Sequence, residues 1–74
     1  MNWMLRLMEE YGFKSRYELA KKTGIGESSV NRIISRDSDW KNTKLGFANR
    51  LAKGLGLTVD ELIEKLEQYE KDNN

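Results

Sequence analysis

An all-α domain of five helices is the fold class this 74-residue sequence predicts, and three observations predict it. Proline is absent and glycine occupies only six positions, so little interrupts a helical run. Apolar residues recur at i, i+3 and i+4 spacing over segments too long for strands. The pattern Ser/Thr-x-x-Glu, which marks helix starts, occurs at Ser15 to Glu18 and again at Thr58 to Glu61. The length allows one domain, residues 1–74, with one core. A chain this short buries only about 60% of its unfolded surface, a limit that short-looped helices suit.

The first helix is expected from Asn2 to about Tyr11, with Trp3, Leu5, Leu7, Met8 and Tyr11 apolar and Gly12 as its stop. Met1, Met4, Met8 and Trp3 read as packing residues. The second starts at the capping box of Ser15 and Glu18 and runs to about Thr23, where Gly24 ends it and Ile25 follows the turn. The third starts at Gly26 or Glu27. It puts Val30, Ile33 and Ile34 on one face and Glu27, Ser28, Asn31 and Arg32 largely on the other. Residues 37–42 are a polar loop, in which Trp40 is expected to pack on the core. Thr43 is placed to cap a fourth helix whose apolar face is Leu45, Ala48, Leu51, Ala52 and Leu55, ended by Gly56. The fifth helix follows the box of Thr58 and Glu61 and passes Leu62, Ile63, Leu66 and Tyr69, before a polar end from Lys71 to Asn74 that is expected to fray.

Charge is segregated along the chain. The formal net charge is only +1, but residues 1–59 hold 11 Lys/Arg against 6 Asp/Glu, and residues 60–74 hold 2 against 6. A basic body suits a polyanionic partner, and an acidic last segment would point away from it. Ordinary solvated surface accounts for the same numbers equally well. Without cysteine there are no disulfides and no thiolate metal sites; without histidine the commonest general base and zinc ligand are missing. No paired carboxylates at catalytic spacing and no phosphate loop stand out, so an enzyme is not expected and no cofactor or small-molecule ligand is called for. The first residues lack the basic start and apolar stretch of a secretion signal, and no membrane span is expected, so a cytoplasmic location is the expectation.

Leu19, Ala20, Gly24, Ile25, Val30 and Ile33 sit where two short helices must lock at a steep angle: a small residue at their contact, glycine at the turn, branched apolar anchors in the second helix. With Ser15 to Ile33 around them, and Leu51 to Leu62 later, the sequence resembles the lambda-repressor-like family of phage repressors, Cro proteins and bacterial regulators of the XRE type. The resemblance covers most of the chain. An extra residue between Gly12 and Ser15, a longer loop around Trp40 and a longer fifth helix depart from the family pattern.

The resemblance implies a helix-turn-helix at helices 2 and 3 that binds double-stranded DNA through the major groove and regulates transcription as a repressor or Cro-like switch. It implies base reading by Glu27, Ser28, Asn31 and Arg32. Their chemistry is suitable, since Asn pairs with adenine, Arg with guanine and Glu with the cytosine amino group. Backbone contacts are expected from Lys14, Ser15, Arg16 and Tyr17 before the reading helix and from Ser35, Arg36, Lys41, Asn42 and Lys44 after it. An ion pair from Arg16 to Glu27 is expected to aim the carboxylate at a base.

The fifth helix carries an apolar stripe wider than so small a core needs. Leu62, Ile63, Leu66 and Tyr69 are therefore the expected interface of a homodimer, which would read two half-sites one helical turn apart, roughly 34 Å. The alternative is a protein-interaction module of the same fold, an antitoxin or anti-repressor. The polar, base-flanked outer face of helix 3 favours DNA.

Overall fold

A computed structural model of the chain describes residues 2–72, and among them it is all helical. The order is α1 (Trp3–Glu10), α2 (Arg16–Thr23), α3 (Glu27–Arg36), a 3-10 turn (Trp40–Asn42), α4 (Leu45–Gly54) and α5 (Val59–Asp72). Met1 and residues 73–74 of the expected frayed end lie outside the described residues. No described helix is long and apolar enough to cross a membrane.

Both expected capping sites start helices. Thr58 and Glu61 form the full reciprocal box, each backbone N–H donating to the other's side chain at 2.8 and 3.1 Å. At α2 the Ser15 hydroxyl accepts from the Glu18 N–H at 3.0 Å. Helix α4 differs from expectation. Its N-cap is Lys44, not Thr43, and no side chain caps it, because the Thr43 N–H is turned back onto the Trp40 carbonyl at 3.1 Å by the 3-10 turn. Leu45, expected on the apolar face, is consequently 76% exposed at the helix start.

The core is made by Trp3, Met4 and Leu7 of α1, Leu19 of α2, Val30 of α3, Leu51 and Ala52 of α4, and Leu62, Leu66 and Tyr69 of α5, with Ile25 from the turn. This corrects the interface expectation. Leu62, Leu66 and Tyr69 are only 1, 4 and 4% exposed within the single chain, so they belong to its own core, although Leu62 and Leu66 also line a groove beside Ile63, which at 36% remains on the surface. The helix needs its full stripe because both α1 and α4 pack on it.

The turn between α2 and α3 is built around Gly24 and Thr23. Gly24 adopts a left-handed φ of 76°, and its N–H donates to the Ala20 carbonyl at 2.8 Å. Thr23 is the one buried polar residue among those described, and its hydroxyl donates to the Leu19 carbonyl at 2.8 Å while accepting from the Ile25 N–H at 3.4 Å. Against it lies Gly54 of α4, where an added Cβ would stand 2.5 Å from Thr23 Cα and 2.8 Å from its Cγ2. Helices α2 and α4 therefore touch at backbone distance.

Asn2 ties the first helix to the third. Its Oδ1 caps α1 by accepting from the Met4 N–H at 2.8 Å, and its Nδ2 donates to the Ile33 carbonyl at 3.2 Å and to Asp37 Oδ1 at 2.9 Å. Asp37 ends α3 with a φ of 49°, a left-handed conformation that aspartate tolerates better than most residues. A charged seam joins α1 to α5: the Arg6 guanidinium lies 4.4 Å from the centroid of the Tyr69 ring and pairs with Asp72 at 3.5 Å. The Tyr69 hydroxyl donates to Glu10 Oε1 at 2.9 Å, and Lys65 pairs with Glu10 Oε2. Lys71 and Asp72, expected to fray, are helical. The Lys65 bond, with the Tyr69 bond and nearby cations, holds the Glu10 carboxyl below its ordinary 4.5 against the opposing effect of burial. The same bond raises the Lys65 pKa, and burial followed by the Glu10 bond raises that of Tyr69.

Two expected outcomes follow from this packing. Gly54→Ala lowers stability by about 2 kcal/mol, read from the denaturant midpoint, because overpacking outweighs the gain of about 1 kcal/mol in helix propensity. An unchanged midpoint would show that α2 and α4 can part at no cost. Since the Glu10 pKa is depressed on folding, its contribution to stability is present above 4.5 and is lost as pH falls through the lower folded value. The stability difference between the wild type and Glu10→Gln accordingly narrows on acidification below 4.5; a difference that stays constant would remove Glu10 from the seam's energetics.

Candidate nucleic-acid interface

Helix α3 is anchored on one side only. Val30 is fully buried and Ile33 and Ile34 are half-buried, whereas Glu27, Ser28, Asn31 and Arg32 are all exposed. The helical repeat forces that separation, because residues 27, 28, 31 and 32 follow an i, i+4 register offset from 30, 33 and 34. The structure thus brings the four expected reading residues onto one open face. Its start has Gly26 as N-cap with no side-chain partner, which leaves the first-turn amides of α3 uncapped on the same side as Glu27.

The flanks are exposed as well. Lys14, Ser15, Arg16 and Tyr17 lead into and begin α2, and Tyr17 is 62% exposed with Lys21 6.0 Å from its ring centroid. On the other side of α3 a groove of about 340 Å³ runs between that helix, the loop and the start of α4, lined in part by Arg32, Asn42 and Lys44. Three expected contact residues therefore share one depression. Arg36 is exposed at the end of α3, and the Ser35 hydroxyl is turned back to donate to the Arg32 carbonyl at 3.3 Å.

The expected ion pair from Arg16 to Glu27 is not formed. Arg16 Nη1 instead donates to Asn31 Oδ1 at 2.9 Å, one turn further along α3, and Glu27 has no ion-pair partner among the described residues. A carboxylate at the positive end of α3 is already favoured by the helix dipole, so it has less need of the guanidinium.

Trp40 packs against the core, as expected, but its indole carries a second function that local spacing did not disclose. Trp40 Nε1 donates to Glu70 Oε2 at 3.0 Å, and Lys41 Nζ pairs with Glu70 Oε1 at 3.3 Å. Trp3 Nε1 donates to the Ser38 carbonyl at 2.9 Å, fixing the other end of the loop. One acid near the end of α5 thus pins the loop that carries Lys41, Asn42 and Lys44. The only hint in the sequence is that a half-buried indole N–H must find an acceptor; its identity, thirty residues away, is a tertiary fact.

A recognition helix held rigidly from behind, open in front and bordered by cations on both sides is the geometry of a DNA reader. Comparison with known proteins agrees. The family model of the bacteriophage CI repressor helix-turn-helix domain matches residues 3–67. No curated protein and no solved structure matches the chain. With the match spanning α1 to most of α5, the chain belongs to the family of bacteriophage CI repressor helix-turn-helix domains, DNA-binding regulators of transcription.

Proposed function

We propose that this protein is a sequence-specific repressor or Cro-like switch that lays α3 in the major groove of a two-half-site operator and binds it as a homodimer. The observation that carries the reading is the open face of α3, where a carboxylate, a hydroxyl, an amide and a guanidinium stand together on a helix pinned by Val30. Glu27, Ser28, Asn31 and Arg32 read base edges. Lys14, Ser15, Arg16 and Tyr17 hold the backbone on one flank, and Arg36, Asn42 and Lys44 hold it on the other. Ser35 and Lys41 contribute less directly, since the hydroxyl is used within α3 and the ammonium rests on Glu70.

The second subunit is proposed at a face that contains Ile63 of the interface expected from the sequence, with Leu62 and Leu66 in its lining. A groove of about 230 Å³ is lined by Leu45 and Ala48 of α4, Val59 and Ile63 of α5, and Trp40 and Lys41 of the loop. Leu45 and Ile63 are two of the three exposed large hydrophobics among the described residues. Lys41 and Thr43 line the loop side of this groove, and along α5 Asp60 and Glu67 flank Ile63 at i−3 and i+4. A two-fold axis would pair the apolar centres of the two copies.

Selection of bound duplexes from random DNA tests the reading, with enrichment of one symmetric sequence as the expected result. Arg32→Ala weakens binding by about 1–3 kcal/mol and relaxes one base position. With about five phosphates neutralised per subunit, log affinity falls with log salt at a slope of about −5 per subunit; a flat response would sink the DNA reading. In sedimentation at micromolar concentration the wild type is a dimer, and Leu45→Asp with Ile63→Asp is a monomer. A wild type that stays monomeric with and without operator DNA defeats the proposed pairing.

A further inference from the structure

We propose that Glu70 is a positioning residue for DNA affinity: by accepting the Trp40 indole N–H it fixes the turn ahead of α4, so that Asn42 and Lys44 meet phosphates, and it acts on the strength of binding and not on base preference. The inference rests on the DNA reading above and deepens it at one flank.

The turn is firm within itself and sparsely tied to the rest of the chain. The Asn42 N–H donates to the Asp39 carbonyl at 3.0 Å, the Thr43 N–H to the Trp40 carbonyl at 3.1 Å and the Lys41 N–H to Asp39 Oδ1 at 3.0 Å, so residues 39–43 move as one piece. Upstream, the loop is fastened at Ser38, whose N–H donates to the Ile33 carbonyl at 3.2 Å and whose carbonyl accepts from the Trp3 indole at 2.9 Å. Downstream, α4 begins after Lys44 without a side-chain cap. Between those points, among the described residues, each hydrogen bond from residues 39–43 to another element ends on Glu70: Trp40 Nε1 on Oε2 at 3.0 Å and Lys41 Nζ on Oε1 at 3.3 Å.

The two bonds differ in weight. The Lys41 side chain is long and 57% exposed, so its ion pair adds little. The Trp40 ring is half-buried and packed on the core, which gives its N–H one stable direction, and a charged acceptor strengthens the bond. The same loop lines the groove of about 340 Å³ in which Asn42 and Lys44 stand beside Arg32. Holding Trp40 on α5 therefore sets where Asn42 and Lys44 stand relative to the reading helix. Asn42 and Lys44 face phosphate and carry no sequence information, so the effect falls on affinity. The charge of Glu70 opposes a polyanion while its hydrogen bond favours the grip, and substitution separates the two.

Affinity for the selected duplex is measured for Glu70→Gln and Glu70→Ala, each alone and combined with Trp40→Phe, with circular dichroism confirming that every variant is folded. Both substitutions at residue 70 remove the same charge and the same ion pair, but the glutamine amide oxygen still accepts from the indole. Glu70→Ala is expected to bind about fivefold more weakly than Glu70→Gln. Combined with Trp40→Phe, which keeps a ring on the core and removes the N–H, the two bind alike. Ethylation interference at the phosphates beside the loop fades in Glu70→Ala and persists in Glu70→Gln, and the selected sequence is the same throughout. Equal affinities of Glu70→Ala and Glu70→Gln overturn the proposal, as does a difference that survives Trp40→Phe, which would assign it to Lys41, or a change in the preferred bases. A wild type that enriches no duplex defeats the DNA reading itself and this inference with it.

Discussion

Everything α3 can present depends on how closely α2 and α4 approach at Thr23 and Gly54. Thr23 satisfies the turn with its hydroxyl and meets Gly54 with its backbone and methyl group, so one side chain fixes both the angle of the helix-turn-helix and its seat on the rest of the core. Gly54 costs α4 some intrinsic helix propensity. The return is backbone-distance packing that no larger residue permits, and it places the turn, hence the start of α3, at a fixed height above the core. Interiors packed to this density do not deform gradually, so an error there would displace α3 as a unit.

What the sequence disclosed was local, and what it concealed was tertiary. The box at Thr58, the hydroxyl cap at Ser15, the left-handed Gly24 and the apolar face of α3 each obey rules that act within four residues, and each stands where the pattern put it. The start of α4 was misread because Thr43 has the right chemistry for a cap but its backbone belongs to the preceding 3-10 turn. The stripe of α5 is a different case. Apolar periodicity reports that a stripe will be covered, not by what, and Leu62, Leu66 and Tyr69 are covered by the chain itself. The open face of α3 was legible because periodicity alone assigns it, whereas the partner of Arg16 was not, since Glu27 and Asn31 lie one turn apart and either is within a long side chain's reach.

The acidic charge of α5 also proves more specific than mere avoidance of a polyanion. Glu70 is turned toward the basic loop, and Glu10, Lys65, Arg6 and Asp72 stitch the opposite side of the same helix to α1. These pairs are partly exposed, and pairs of that kind contribute from nothing to about 1 kcal/mol each. Their value is therefore geometric before it is energetic. The bond between Lys41 and Glu70 is of this kind, and the Trp40 indole holds the loop to the same carboxylate independently of it.

The anchored and the open sides of α3 are consequently separate. Val30, with Ile33 and Ile34, secures α3 from behind, and none of Glu27, Ser28 or Arg32 makes a side-chain bond that the fold requires. Substitutions at those positions are expected to leave the fold intact, since exposed sites away from caps and buried networks perturb stability little. Asn31 is the exception on that face, since its amide oxygen accepts a hydrogen bond from Arg16, the first residue of α2.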